Sequence, residues 1–322
     1  MKVHLIHKLD ERHMDVLNAA LDAPVQWSFG KTEVPPDTDI LIGGRPGKSL
    51  LDASANLKAL IIPYAGLPPE TRTLLVARPH LKVYNLHHNA PAVAEMSLAL
   101  MFAAARCLVP MDKSLRAGDW TPRYNPDPGL ILAGRRALVL GYGAIGRRVA
   151  SLCRAVGLEV EAIRRSGPQP GADGVPVHGP QALEACLKRA DVLHICVPDT
   201  EETRGMLDAS HLDLLGTDGV LVNVARAAVV EEKALFEALR DRRIHSAALD
   251  VWYTYPTKGR PRDNTMPAEH PFDTLDNVVM SPHRAGHGET VEIARATALA
   301  RTLSALIQGQ KPPHEVQPTL GY

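Results

Sequence analysis

The sequence predicts an α/β protein, a doubly wound parallel sheet inserted into a second, smaller α/β domain, on three observations. Apolar runs at 137–140, 158–163, 192–197, 220–224, 246–249 and 278–280 alternate with helical stretches such as 181–189 and 231–240. Strands that are apolar on both faces and joined by helical crossovers make a parallel sheet covered on both sides. The first run leads straight into Gly141-Tyr142-Gly143-Ala144-Ile145-Gly146, and an amphipathic helical segment is expected at 147–156. The first glycine makes the turn, the second lets a pyrophosphate approach the backbone, and the third packs helix on strand, so the segment reads as a Rossmann dinucleotide loop. The helix N-terminus then offers N–H groups and a positive dipole end to the phosphates. Finally, 322 residues exceed what one small core needs and imply two domains.

Ahead of the glycine loop, short apolar runs at 3–6, 39–42, 57–62 and 81–84 are spaced by helical or loop pieces such as 10–21, which reads as a small α/β unit. A helix is expected over 93–115, followed by a Gly- and Pro-rich link over 118–134 carrying Trp120. Residues 289–308 are rich in Ala and Leu and are expected to form a helix that packs back on the N-terminal unit. The expected boundaries are 1–96 for the first part of the smaller domain, 97–288 for the dinucleotide-binding domain, and 289–322 for the returning helix.

Composition excludes several function classes. Lys plus Arg and Asp plus Glu both total 36, so no positive field draws nucleic acid or anionic lipid, and aromatic residues at 4% are too few for base-stacking platforms. The longest apolar stretch, 90–108, contains Glu95 and Arg106 and is not read as a membrane span. Cys107, Cys153, Cys186 and Cys196 form no C-x-x-C pair and read as reduced thiols. With no leader or lipidation motif visible, a cytoplasmic protein is expected.

Three residues downstream of the glycine loop fall at or just after strand ends, where open α/β sheets bind their ligands. Arg226, in Val222-Asn223-Val224-Ala225-Arg226, could fork onto a carboxylate and polarise a carbonyl; the position also suits a helix cap or a surface ion pair. Asp250 could hold a nicotinamide carboxamide, or cap a turn. His283, after Pro282 and before Gly286, is placed to give or take a proton near neutral pH, although a lone histidine is also a common structural residue.

The order and spacing of Gly141-x-Gly143-x-x-Gly146, Asn223-x-x-Arg226, Asp250-Val251 and Pro282-His283-x-x-Gly286 resemble the D-2-hydroxyacid dehydrogenase family, which includes formate dehydrogenases. Asn89-Ala90-Pro91-Ala92-Val93-Ala94-Glu95, Gly118-Asp119-Trp120 and Val197-Pro198-Asp199-Thr200-Glu201-Glu202-Thr203 extend the likeness over residues 40–290. The resemblance implies a Rossmann domain inserted into a flavodoxin-like substrate domain, and a homodimer with the helix after Asn89 in its interface. It implies nicotinamide-dependent reduction of a small 2-oxo acid, glyoxylate- or hydroxypyruvate-like, to the D-2-hydroxy acid, with hydride from nicotinamide C4. Arg226 would bind the substrate carboxylate and orient the 2-oxo group, His283 would donate the proton, and Asp250 would help to hold the nicotinamide. Backbone N–H groups around Tyr64-Ala65-Gly66 match the family's carboxylate loop, and Asn89 matches a position that contacts formate. Tyr142, Ala144 and Ile145 of the glycine loop, with Val197, Pro198, Thr203, Val224, Ala225 and Gly286, would line the cofactor.

This chain departs from the family pattern at three places. Where the family usually has a Glu that pairs with the histidine, the residue is Tyr255, which supplies a hydrogen bond but no charge. A less basic His283 and a lower pH optimum for reduction are therefore expected. Formate dehydrogenases carry Gln there, and Asp263 or Glu269 within 257–270 could substitute. NAD-selective sites place an acid at the end of the second strand. Here Arg164 stands there, followed by Arg165 and Ser166, so NADP(H) is the expected cofactor with NAD(H) possible; a solvated cationic face is the plainer reading. The family's Arg-Gly becomes Arg226-Ala227, whose methyl could narrow the pocket. Formate-dehydrogenase-like hydride abstraction stays open as an alternative, as does a non-catalytic NAD(P)-sensing interaction protein like the C-terminal-binding-protein corepressors. Trp252, Tyr253 and Tyr255 read equally as pocket lining or as core. Gly43-Gly44-Arg45-Pro46-Gly47-Lys48-Ser49 lacks the first glycine of a P-loop because position 42 is Ile42, and reads as a loop with Arg45 a possible anion contact. His87 and His88 lack ligand spacing, and no metal is expected.

Overall fold

The computed structural model describes residues 1–125, 129–167 and 173–321, so residues 126–128 of the expected link lie outside the described residues. The chain divides into two compact units, Met1–Asn89 with Gly286–Tyr322, and Ala90–Ala285.

The first unit holds a five-stranded sheet of β1 (Lys2–Leu5), β2 (Gln26–Phe29), β3 (Ile40–Ile42), β4 (Ala59–Ile62) and β5 (Lys82–Asn85), in the order β2-β1-β3-β4-β5. All pairings are parallel. β3 and β4 are apolar and buried throughout, as central strands covered on both faces must be. β2 has no counterpart among the expected strands: it is an edge strand with no buried residue, so the apolar signal is weak. The helix Glu289–Ile307 buries Ala296, Leu299, Ala300 and Leu303 in one cluster with Val3, Leu5, Met14 and Leu17. The glycine pair of the P-loop-like stretch is a packing feature. A Cβ on Gly44 would lie 1.8 Å from the Tyr64 hydroxyl, and one on Gly43 would lie 2.4 Å from Ile6 Cδ1.

The second unit holds a seven-stranded parallel sheet of β6 (Arg136–Leu140), β7 (Glu159–Ile163), β8 (Val177–His178), β9 (Val192–Ile195), β10 (Val220–Asn223), β11 (Ser246–Leu249) and β12 (Val278–Met280). Their order is β12-β11-β10-β9-β6-β7-β8. The chain runs from β6 outward to β8 and returns to place β9 on the other side of β6, so the topology switches between β6 and β9. Ligand crevices of open sheets lie outside the carboxyl ends of strands at such a point. The two-residue edge strand β8 was also not among the expected strands.

The expected helix over 93–115 is two helices, Ala90–Ala105 and Leu108–Arg116, bent by 68°. Cys107 takes a left-handed backbone with φ 51°, which no hydrophobic periodicity reveals. The first helix is apolar and buries Val93, Ala94, Ser97, Leu100, Met101, Ala104 and Ala105, while the second buries none of its residues. Because that first helix shares a core cluster with β6, β9 and β10 from its first turn, the boundary falls at 89/90 rather than 96/97. The second boundary falls at 285/286 rather than 288/289, since Ala285 is buried in the same cluster. Among the described residues no single helix is long and apolar enough to cross a membrane.

Candidate active site

The glycine loop leaves β6 at the switch point. Gly141 has φ 103°, and a Cβ there would lie 2.7 Å from the Cys196 carbonyl that follows β9. At Gly146 a Cβ would meet the Gly141 carbonyl oxygen at 1.9 Å, so the helix Ala144–Ala155 can start this close to the turn only with glycine there. Gly143, by contrast, has nothing within 4 Å of where its Cβ would be, which leaves an open approach to the backbone at the helix N-terminus. Tyr142 turns inward. Its buried hydroxyl donates to Asp173 at 2.7 Å, and burial with that bond pushes the phenol up to about 12, so its side chain serves the fold and leaves the backbone for a ligand.

Arg164 follows β7, and its backbone N–H donates to His178 O of β8 at 2.9 Å. Among the described residues its guanidinium makes no ion pair or hydrogen bond. Arg165 is exposed and pairs with Glu202 at 3.1 Å, and Ser166 is exposed beside it. The loop after β9 is locked locally: the Thr203 hydroxyl donates to Pro198 O at 2.6 Å and accepts the Thr200 N–H at 2.9 Å, with Val197 half-buried above.

The turn after β10 is shaped by Asn223, which sequence reasoning quoted without a role. Its Oδ1 accepts the Ala225 N–H at 3.1 Å and its Nδ2 donates to Arg226 O at 3.0 Å. This clip buries Val224 and turns Arg226 outward, half-buried, with Nη1 donating to Ala225 O at 2.6 Å.

Asp250, at the end of β11, is fully buried, and it grips the segment that carries His283. Its Oδ1 accepts from the Ser281 hydroxyl at 2.5 Å and from Arg284 N–H at 2.8 Å, and its Oδ2 accepts from Ala285 N–H at 2.9 Å. A nicotinamide contact would have to share these oxygens, so the geometry gives Asp250 a positioning part that spacing did not reveal. Held on both sides, His283 sits at φ 57°, a left-handed conformation uncommon for a side chain of its size.

Tyr255 occupies Nδ1 of that ring at 2.8 Å. The Trp252 N–H donates to the phenol oxygen at 3.1 Å, and the phenol meets Nδ1 as donor to a neutral ring or as acceptor from Nδ1–H when the ring is protonated. Burial raises the phenol above its ordinary range, against the bond from the Trp252 N–H and the charge of Arg226, so Tyr255 is un-ionised at neutral pH. Trp252 donates its indole N–H to Ser281 O at 2.8 Å and Tyr253 its hydroxyl to Val230 O at 2.9 Å, both rings packing around Phe272. Of these aromatics, Tyr255 meets the histidine directly. The backbone at Glu269 is tied elsewhere, its N–H on Glu232 at 2.6 Å.

In the first unit, the Tyr64–Gly66 stretch is held from beneath by Asn85, whose Nδ2 donates to Ala65 O at 2.6 Å. The Ala65 and Gly66 N–H groups carry no hydrogen bond among the described residues, as a carboxylate-binding loop requires. Asn89 precedes the helix Ala90–Ala105 with its Oδ1 buried and unpartnered, and Gly286 is half-buried after Ala285.

The model of the D-isomer specific 2-hydroxyacid dehydrogenase family, NAD binding domain, matches residues 98–285. This chain belongs to that family. It is 33% identical over 227 residues to a D-3-phosphoglycerate dehydrogenase of Methanocaldococcus jannaschii, covering 69% of this chain and 41% of that protein. It is 34% identical over 230 residues to a glyoxylate reductase of Aeropyrum pernix, covering 70% and 66%. The chain therefore spans about two fifths and about two thirds of the lengths of these two relatives. Its fold is similar to that of a D-isomer specific 2-hydroxyacid dehydrogenase from Xanthobacter autotrophicus Py2 in complex with NADPH and MES, at TM-score 0.82, 24% identity and coverage of 100% of this chain and 99% of that one. The family segment takes in the glycine loop, Arg164, Arg226, Asp250, Tyr255 and His283.

Proposed function

We propose that this protein is an NADP(H)-preferring reductase that converts a small 2-oxo acid, glyoxylate- or hydroxypyruvate-like, to the D-2-hydroxy acid. The observation that carries the reading is the Asp250-pinned loop presenting His283 to Tyr255, whose phenol also feels the charge of Arg226. The open approach at Gly143 and the helix behind it fit a pyrophosphate, and Arg164 fits a 2′-phosphate. When bound, NADPH supplies hydride from nicotinamide C4. Arg226 forks onto the substrate carboxylate and polarises the 2-oxo oxygen. With Nδ1 turned to Tyr255, His283 as the imidazolium would give its Nε2 proton to that oxygen and keep the Nδ1 proton, which the phenol oxygen accepts, so that the ring ends neutral and the oxygen a hydroxyl. The Tyr64–Gly66 backbone and Asn89 are proposed as further substrate contacts, on the strength of the free Ala65 and Gly66 N–H groups and the Asn89 oxygen.

Steady-state oxidation of NADPH and NADH against glyoxylate, hydroxypyruvate and pyruvate, with formate and NAD(P)+ as a reverse reaction, tests the proposal. NADPH should be favoured in kcat/KM, and Arg164→Asp should lower NADPH efficiency by about tenfold or more through loss of the phosphate contact. Equal efficiency of the two cofactors in the wild type would overturn the preference. Turnover of formate alone would favour hydride abstraction instead.

The pH dependence has a definite sign. Reduction needs protonated His283, so activity is present at low pH and lost as pH rises through the histidine's titration. Tyr255→Glu places a charge where the phenol supplies none, and should carry the falling limb upward by about one pH unit. A limb that stays in place would refute this role for Tyr255.

The exposed apolar side chains of the helix Leu108–Arg116, with Leu108 at 58% and Val109 at 47%, and Trp120 at 60%, support a homodimer. Light scattering should then give twice the chain mass; a monomer at micromolar concentration would contradict it.

A further inference from the structure

In the second unit, β7, β8 and the helix Leu183–Leu187 bring together three donor atoms of different chemistry: a Glu161 carboxylate oxygen, His178 Nε2 and Cys186 Sγ, all within 4.8 Å of one another. The sheet makes the meeting. Ile163 pairs with His178 in the parallel register, so Glu161, two residues earlier, shares that face of the sheet. Ile163 and Cys186 belong to one core cluster, which seats the helix on the same face. Glu161 Oε2 accepts from His178 Nε2 at 2.8 Å and stands 3.8 Å from Cys186 Sγ. Because 17 and 25 residues of chain separate Glu161 from His178 and Cys186, no ligand spacing shows in the sequence.

A cation already sits among these atoms. Arg189 forks onto Glu161, with Nε 2.7 Å from Oε1 and Nη2 on Oε2, and the same Nη2 lies 3.2 Å from Cys186 Sγ. The three side chains therefore turn charge and lone pairs toward one point that a cation can reach. Arg189 holds that point weakly, since its side chain is 37% exposed and ion pairs open to solvent contribute little. We infer that Glu161, His178 and Cys186 bind a zinc ion, which displaces the Arg189 guanidinium toward solvent. As the sulfur–zinc bond forms, the Cys186 thiol gives its proton to water, and His178 carries its ring proton on Nδ1 to free Nε2. A fourth position is left to water. Tetrahedral zinc spaces its ligand atoms by roughly 3–4 Å, so small side-chain rotations from the observed separations suffice. Thiolate and imidazole select zinc over magnesium and calcium, which take oxygen ligands. The ion would tie the two-residue edge strand β8 to β7 and to the helix Leu183–Leu187. None of these residues belongs to the proposed catalytic set, so the inference does not rest on the reductase reading.

The test titrates the full chain, reduced and cleared of metal with a chelator, with Co2+ and then with Zn2+ in the absence of oxygen. A thiolate-to-cobalt charge-transfer absorption in the near ultraviolet should reach its end point at about one Co2+ per chain, and Zn2+ should abolish it with a Kd of about 1 µM or tighter. Cys186→Ser should remove the absorption, with Cys186→Ala as the second variant should a buried hydroxyl unfold the first. His178→Gln should weaken zinc by about tenfold or more, whereas Arg189→Met should tighten it severalfold, because the competing cation is gone. Circular dichroism of each metal-free variant reports that it is folded. Absence of the absorption in the wild type overturns the inference. Its persistence in a folded Cys186 variant does so too, by placing the metal on another cysteine, and so does weaker zinc binding in folded Arg189→Met. None of these results bears on 2-oxo acid reduction.

Discussion

His283→Ala should lower kcat for 2-oxo acid reduction by about 10²–10⁴-fold, the usual worth of a positioned general acid, with NADPH affinity little changed. The expectation follows from the way the ring and its loop are held separately. Nδ1 is engaged by Tyr255, and the loop on either side is fastened to Asp250 through Ser281, Arg284 and Ala285. Those fastenings use backbone groups and a serine hydroxyl, so removing the imidazole leaves them in place. Alanine at φ 57° carries some strain, so His283→Asn, which tolerates the left-handed region better, belongs beside it. Steady-state kcat with cofactor titration in both variants checks the claim. A loss under about tenfold in both would assign the proton to another group.

Arg226→Gln should lower kcat/KM by about 10²–10³-fold, and the loss should fall on both parameters. The carboxylate fork is made with bound substrate and raises KM when lost. Polarisation of the carbonyl oxygen grows toward the transition state and lowers kcat when lost. Arg226→Lys keeps the charge but not the fork, and should recover only part of the activity. The Asn223 clip holds this turn through backbone atoms of Ala225 and Arg226, so either variant should fold. An effect on KM alone would confine Arg226 to binding.

Much of the architecture was legible because buried parallel strands announce themselves: β9, β10 and β11 are apolar or small at nearly every position and buried at all of them. β2 and β8 were not, since edge strands bury little and carry no continuous apolar signal. The bend at Cys107 was hidden for a different reason, being one residue's backbone conformation inside an apolar stretch. For the candidate site, the glycine loop, Arg226, Asp250 and His283 could be named from their order along the chain. Their couplings could not. The grip of Asp250 on Ser281 spans 31 residues. Tyr255 was read as a substitute partner for the histidine, but the Trp252 N–H that holds its phenol oxygen is a backbone group with no sequence signature. The inward turn of Tyr142 onto Asp173 is likewise a tertiary choice, made against the position's place in a ligand loop.

The central claim is direct hydride delivery to a 2-oxo acid with proton donation by His283. The most direct measurement is a single turnover with NADPH dideuterated at nicotinamide C4 and hydroxypyruvate, with the product analysed for deuterium and configuration. The account predicts D-glycerate with one deuterium at C2, and no product on that timescale from His283→Ala. NADPH binding without deuterium transfer to any 2-oxo acid, or formation of L-glycerate, would contradict it.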